Sequence, residues 1–85
     1  MKSSALTLSI QCFGIAQEIC GGDSIEASLP AGSNISDLKQ LLVEQYPQLG
    51  ELRHFFVAQN QAYASSDALL SPADELVIIP PVAGG

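Results

Sequence analysis

The change of period along the chain constrains its fold most: two short alternating segments come first, one capped amphipathic helix follows, and extended apolar runs return after it. Leu6, Leu8, Ile10 and Cys12 alternate with Thr7, Ser9, Gln11 and Phe13, the two-residue period of a strand with one buried face. Ile25, Ala27 and Leu29 alternate with Glu26 and Ser28 as a second strand, closed by the turn residues Pro30, Ala31 and Gly32. These two strands are expected to pair antiparallel. Between them, Ile15 and Ile19 lie four apart in a short run that suits one or two helical turns or a structured loop, stopped by Gly21 and Gly22.

Asn34 stands at a helix N-cap position with Asp37 three residues on, which approximates a capping box and puts negative charge at the positive end of the helix dipole. Ile35, Leu38, Leu41, Leu42 and Tyr46 then recur at three- and four-residue spacings, so one stripe faces a core. Pro47 ends the helix, and Leu49 and Leu52 fit a short turn after it. Phe55, Phe56, Val57 and Ala58 form an apolar run that predicts a central, well-covered third strand ended by Gln59 and Asn60. Tyr63, Leu69 and Leu70 are spaced for a short edge strand or an irregular loop with buried anchors. After the turn residues Ser71, Pro72, Ala73 and Asp74, residues 76–79 are a final strand of high β propensity. The expectation is an α+β fold: a mixed sheet of four to five strands with one main helix packed across one face.

With 85 residues there is room for one domain and a thin core. The hydrophobic fraction of 47% contains no apolar run near the roughly 20 residues of a membrane span. The first residues lack the apolar stretch and small-residue cleavage site of a secretory signal, so a cytoplasmic location without membrane association is expected. Nine acidic against three basic residues give a net charge of −6. Phosphate binding relies on Lys and Arg clusters, so nucleic acid is disfavoured as a partner. A protein with a basic face suits such a charge, although the same charge also serves plain solubility. Cys12 and Cys20, separated by seven residues, and the single His54 match no zinc or Cys-x-x-Cys pattern, and no metal site is expected. Cys12 belongs to the buried face of the first strand, whereas Cys20, beside two glycines, is expected to be more exposed.

The last six residues are Pro80, Pro81, Val82, Ala83, Gly84 and Gly85. Two prolines fix φ near −65° and remove two amide donors, so the chain leaves the sheet stiff and extended. Residues 82–85 then span about 13 Å, and two glycines without Cβ atoms let a partner's backbone close around them. The expected organisation is a body over residues 1–80 and a flexible extended tail over residues 81–85.

Residues 77–85, reading Val-Ile-Ile-Pro-Pro-Val-Ala-Gly-Gly, resemble the ending of the small, sulfur-carrier subunits of molybdopterin synthase, the MoaD-like family of ubiquitin-like β-grasp proteins. Residues 13–21 are similar to that family's segment after the first strand, residues 34–42 to its capped helix, and residues 58–61 to its Asn-containing turn. The proline pair favours this family over the related thiazole-pathway carrier. The chain departs from the pattern at Gln17, where many members carry Arg, and at Ala73, where a Gly-Asp-Glu turn is usual.

The resemblance implies that an E1-like adenylyltransferase, using ATP and Mg²⁺, activates the Gly85 carboxylate. A sulfur donor protein then converts it to a thiocarboxylate. The tail, with Pro81, Val82, Ala83 and Gly84 threading and Gly85 reacting, enters the synthase large subunit in an expected heterotetramer and donates sulfur to the dithiolene of molybdopterin. The chain itself would be non-catalytic alone and bind no cofactor. His54 is expected to line a strand end. Phe13, Phe56 and Val82 are candidates for a partner surface, because the chain holds more large apolar residues than one thin core needs. Alternative functions are a ubiquitin-like modifier conjugated through Gly85, an interaction domain with an inert tail, or a sulfur carrier for thiamine or another product.

Overall fold

A computed structural model describes residues 5–52 and 55–80. Five strands and three helices follow in the order β1 (Ala5–Cys12), α1 (Ile15–Cys20), β2 (Ser24–Pro30), α2 (Ile35–Gln45), α3 (Pro47–Gly50), β3 (Phe56–Gln59), β4 (Ala62–Tyr63) and β5 (Leu76–Ile79). The strands form one mixed sheet in the order β2-β1-β5-β3-β4. β1 pairs antiparallel with β2 over its length and parallel with β5, bringing Cys12 opposite Ile78. β5 is also antiparallel to β3, so the last strand to form in sequence is the middle strand of the sheet.

The alternation of β1 is realised without exception: Leu6, Leu8, Ile10 and Cys12 are buried and the residues between them exposed. They meet Ile35, Leu38 and Leu42 of α2, Leu49 of α3 and Ala16 of α1 in a single core with Leu76 and Ile78. All three helices therefore pack on one face of the sheet. The α2 start is a true capping box: the Asn34 Oδ1 accepts from the Asp37 amide at 2.9 Å, and the Asn34 amide donates to Asp37 Oδ2 at 3.0 Å. Pro47, which ends α2, occupies the first turn of α3, where its missing N–H costs no hydrogen bond. Lys39 lies over the Phe55 ring, 5.2 Å from its centroid.

The short run after β1 is a helix bounded by glycines on both sides. Gly14 at its N-cap has φ 58° and ψ −133°, a region that side chains with a Cβ avoid, and Gly21 closes it in the left-handed conformation, donating to the Gln17 carbonyl at 2.9 Å.

Two expectations are corrected. β3 is not covered on both sides: it stands between β5 and the two-residue β4, and Phe56 is exposed on the face without helices, while Phe55, Val57 and Ala58 are buried. Of the two alternatives for Tyr63, Leu69 and Leu70, a short edge strand is present at Tyr63 as β4, whereas Tyr63 and Leu69 are not buried anchors. Tyr63 projects from β4 at 70% exposure and Leu69, in an isolated bridge to Asn34, at 68%; only Leu70 is buried. Pro30 ends β2 and opens the expected turn, its carbonyl accepting from the Ser33 amide at 3.2 Å; the proline is tolerated because β2 is an edge strand and needs no further donor. The Ser33 Oγ donates to the same carbonyl at 2.7 Å.

Candidate functional site

The face of the sheet turned away from the helices is divided by chemistry. Its β1–β2 half carries Thr7, Ser9, Gln11, Glu26 and Ser28, all exposed and polar. Its β5–β3–β4 half is apolar, because residues 76–79 do not alternate: Leu76 and Ile78 enter the core, and Val77 and Ile79 line the other face half-buried. Phe13, just past β1, together with Val77, Ile79, Ala58, Ala62, Gln61 and Tyr63, encloses an open depression of about 380 Å³. Phe56 borders it, stacked on Tyr63 with ring centroids 5.4 Å apart and planes at 26°. Exposed aromatic groups gathered on one face of so small a body are the mark of an interaction surface rather than of scattered surface residues.

This depression lies where β5 leaves the sheet. In the parallel pairing, Cys12 is level with Ile78, which brings Gly14 beside Pro80; a Cβ at Gly14 would sit 3.7 Å from Pro80 Cγ. Phe13 and Phe56, two of the residues expected at a partner surface, are thus on one apolar face next to the tail root. Val82, the third, lies outside the described residues, as do Pro81, Ala83, Gly84, Gly85 and His54. The sequence reading missed Tyr63, Val77 and Ile79. The four consecutive apolar residues of β5 were the available signal: a strand apolar on both faces, with helices enough for only one.

A polar network holds the other rim. The Asp74 carboxylate accepts from Gln59 Nε2 at 2.7 Å, Asn60 Nδ2 at 3.0 Å and the Ser71 amide at 2.8 Å, and Asn60 Oδ1 accepts from the Glu75 amide at 2.9 Å. Burial pushes the Asp74 carboxyl up, but the hydrogen bonds from Gln59, Asn60 and Ser71 to its ionised form outweigh this and hold it below the ordinary 3.8. This network ties the β3–β4 turn to the turn before β5 and so fixes Gln61 and Tyr63 against the depression. Among the described residues no group of three or more His, Cys, Asp or Glu side chains is placed to hold a metal ion, and no helix is long and apolar enough to cross a membrane.

The ThiS family matches residues 10–85. The molybdopterin synthase sulfur carrier subunit of Arabidopsis thaliana is 33% identical over 84 residues, covering 98% of this chain and 88% of that protein. The subunit of the same name from Dictyostelium discoideum is 39% identical over 80 residues, covering 89% and 93%. Among solved structures, a putative molybdopterin converting factor, subunit 1, from Pyrococcus furiosus superposes with a TM-score of 0.79 at 23% identity over 91% of this chain and 99% of that one. The small archaeal modifier protein 1 of Haloferax volcanii gives 0.78 at 20% identity over 91% and 99%. These two likenesses carry the fold, the ubiquitin-like β-grasp. With a match that leaves only the first nine residues outside it, the chain belongs to the ThiS family, and molybdopterin synthase sulfur carrier subunits are among its homologues.

Proposed function

We propose that this chain works as the sulfur-donating subunit of a molybdopterin synthase through the carboxyl group of Gly85. One observation carries the reading: the chain leaves the sheet from its middle strand, at Pro80, on the rim of an exposed apolar face, five residues before Gly85. The family match running through Gly85 supports it.

A terminal carboxylate is ionised at neutral pH and is a poor acyl donor, because its charge repels nucleophiles and oxide is a bad leaving group. An E1-like adenylyltransferase supplies the remedy. The Gly85 carboxylate attacks the α-phosphorus of Mg²⁺-bound ATP, releasing pyrophosphate and forming an acyl-adenylate. A donor protein's persulfide sulfur then attacks the acyl carbon and AMP departs; a thiol cleaves the S–S bond of the resulting acyl disulfide, forming a disulfide with the donor's cysteine and leaving the thiocarboxylate on Gly85. Residues 81–84 give the reach and the clearance to bring this sulfur into the large subunit, while Phe13, Phe56, Tyr63, Val77 and Ile79 seat the body against it. Acids and bases for the transfer belong to the partner.

The test is intact-mass analysis after incubation with the cognate adenylyltransferase, ATP and a sulfide source. The expected product is heavier by the exchange of one oxygen for one sulfur, and deletion of Gly84 and Gly85 abolishes it with the fold intact. An unchanged mass, with the enzyme active on another carrier, overturns the proposal. Conjugates to larger proteins in its place identify a protein modifier.

A further inference from the structure

Gln59, Asn60 and Gln61 put three carboxamides in a row where β3 turns into β4. The first two are used inside the fold. Gln59 Nε2 donates to the Asp74 carboxylate and to the Leu69 carbonyl, the latter at 2.9 Å, and Asn60 donates to Asp74 and accepts from the Glu75 amide. The third is placed differently: Gln61 is exposed and makes no side-chain hydrogen bond among the described residues. It lines the apolar depression, where every other lining side chain is hydrocarbon apart from the Tyr63 hydroxyl.

The backbone at Gln61 makes this placement unfavourable. Its φ of 72° lies in the left-handed region, at the second position of a two-residue hairpin turn where glycine is preferred. A side chain stays in such a conformation only where its surroundings over-determine it, and strain of this kind gathers at functional sites. Here the residue before it is pinned at three points: the Asn60 amide donates to the Glu75 carbonyl at 2.8 Å, and its side chain is bonded to Asp74 and to the Glu75 amide. A rigid network thus presents one carboxamide at the edge of an otherwise apolar surface.

We propose that Gln61 sets partner specificity, its carboxamide pairing with a peptide group of the synthase large subunit at the rim of the apolar contact; this rests on the function proposed above. A carboxamide and a peptide group each carry a donor and an acceptor, so the two can exchange a pair of hydrogen bonds. Docking of the apolar face removes water from Gln61, and a carboxamide dried without a replacement partner destabilises the complex by more than a made hydrogen bond stabilises it. Phe13 and Tyr63 accept any apolar surface of suitable shape. Gln61 rejects those that offer only hydrocarbon at its position.

Calorimetry with the cognate large subunit tests this on two variants, each checked for native circular dichroism. Gln61→Met keeps the length of the side chain and the strained backbone but removes donor and acceptor; association is expected to weaken about tenfold while the denaturant midpoint hardly moves. Gln61→Gly relieves the strain, and a higher midpoint is expected together with weaker association, opposite signs that a purely structural role does not produce. Association as tight as that of the unsubstituted chain in either variant overturns the inference and leaves the chemistry proposed at Gly85 standing. Failure of the unsubstituted chain to associate at all overturns both.

Discussion

Asp74 shows how one side chain organises a rim. Its carboxylate has donors from three positions, Gln59, Asn60 and Ser71, and their preference for the ionised form outweighs its partial burial. A carboxyl held low contributes stability that is fully present above its unfolded value of 3.8 and is lost as pH falls through the lower folded value. Asp74→Asn is therefore expected to lose about 1 kcal/mol at neutral pH, since an amide cannot accept all three bonds. The gap between the two proteins should close as pH drops below that range. Urea unfolding at a series of pH values measures both effects; a constant gap down to acid pH contradicts the assignment. None of this could be seen in the sequence, where Asp74 reads only as a turn residue, because the network joins positions up to 15 residues apart.

At the scale of elements, the β3–β4 hairpin is the least supported part of the sheet. Its two-residue turn places both Asn60 and Gln61 at positive φ, 55° and 72°. Asn tolerates that conformation and Gln does not, so Gln61→Gly is expected to stabilise the protein by about 1 kcal/mol, read as a higher denaturant midpoint at unchanged slope. Elements with a strong local signal were legible in advance. The capping box of α2 and the alternation of β1 and β2 were readable from a few neighbouring residues, and the structure has them in place. The helical state of α1 was not, because six residues between glycines satisfy a turn as well as a helix until the core claims Ala16. The exposed side of β3 was hidden for a different reason. An apolar run does not say which of its faces lacks a cover, and that depends on all three helices lying on one side of the sheet. The apolar face beside the tail was thus only half legible: Phe13 and Phe56 stood out as surplus, whereas Val77 and Ile79 read only as residues of a strand and Tyr63 as an edge-strand residue or a buried anchor.

The whole molecule combines a net charge of −6 with one apolar face, so approach and seating are separate problems. Charge raises the encounter rate with a basic partner, and salt screens it; the apolar face governs how long the complex lasts. The double substitution of Phe13 and Tyr63 by Ser removes two exposed aromatic rings and, on the proposed function, is expected to weaken association with a synthase large subunit by about tenfold or more, mostly through faster dissociation. Both side chains are more than half exposed, so the thermal midpoint should hardly move. Unaltered affinity in calorimetry would place the contact elsewhere.

The position of β5 has one more consequence, mechanical rather than chemical. A partner that grips the chain end and withdraws pulls on a strand bonded along both flanks, to β1 and to β3, and parallel to the first of them. Tension along such a strand loads many amide bonds together in shear instead of unzipping them singly. Pulling on the end of this chain is therefore opposed by both neighbours of β5 at once.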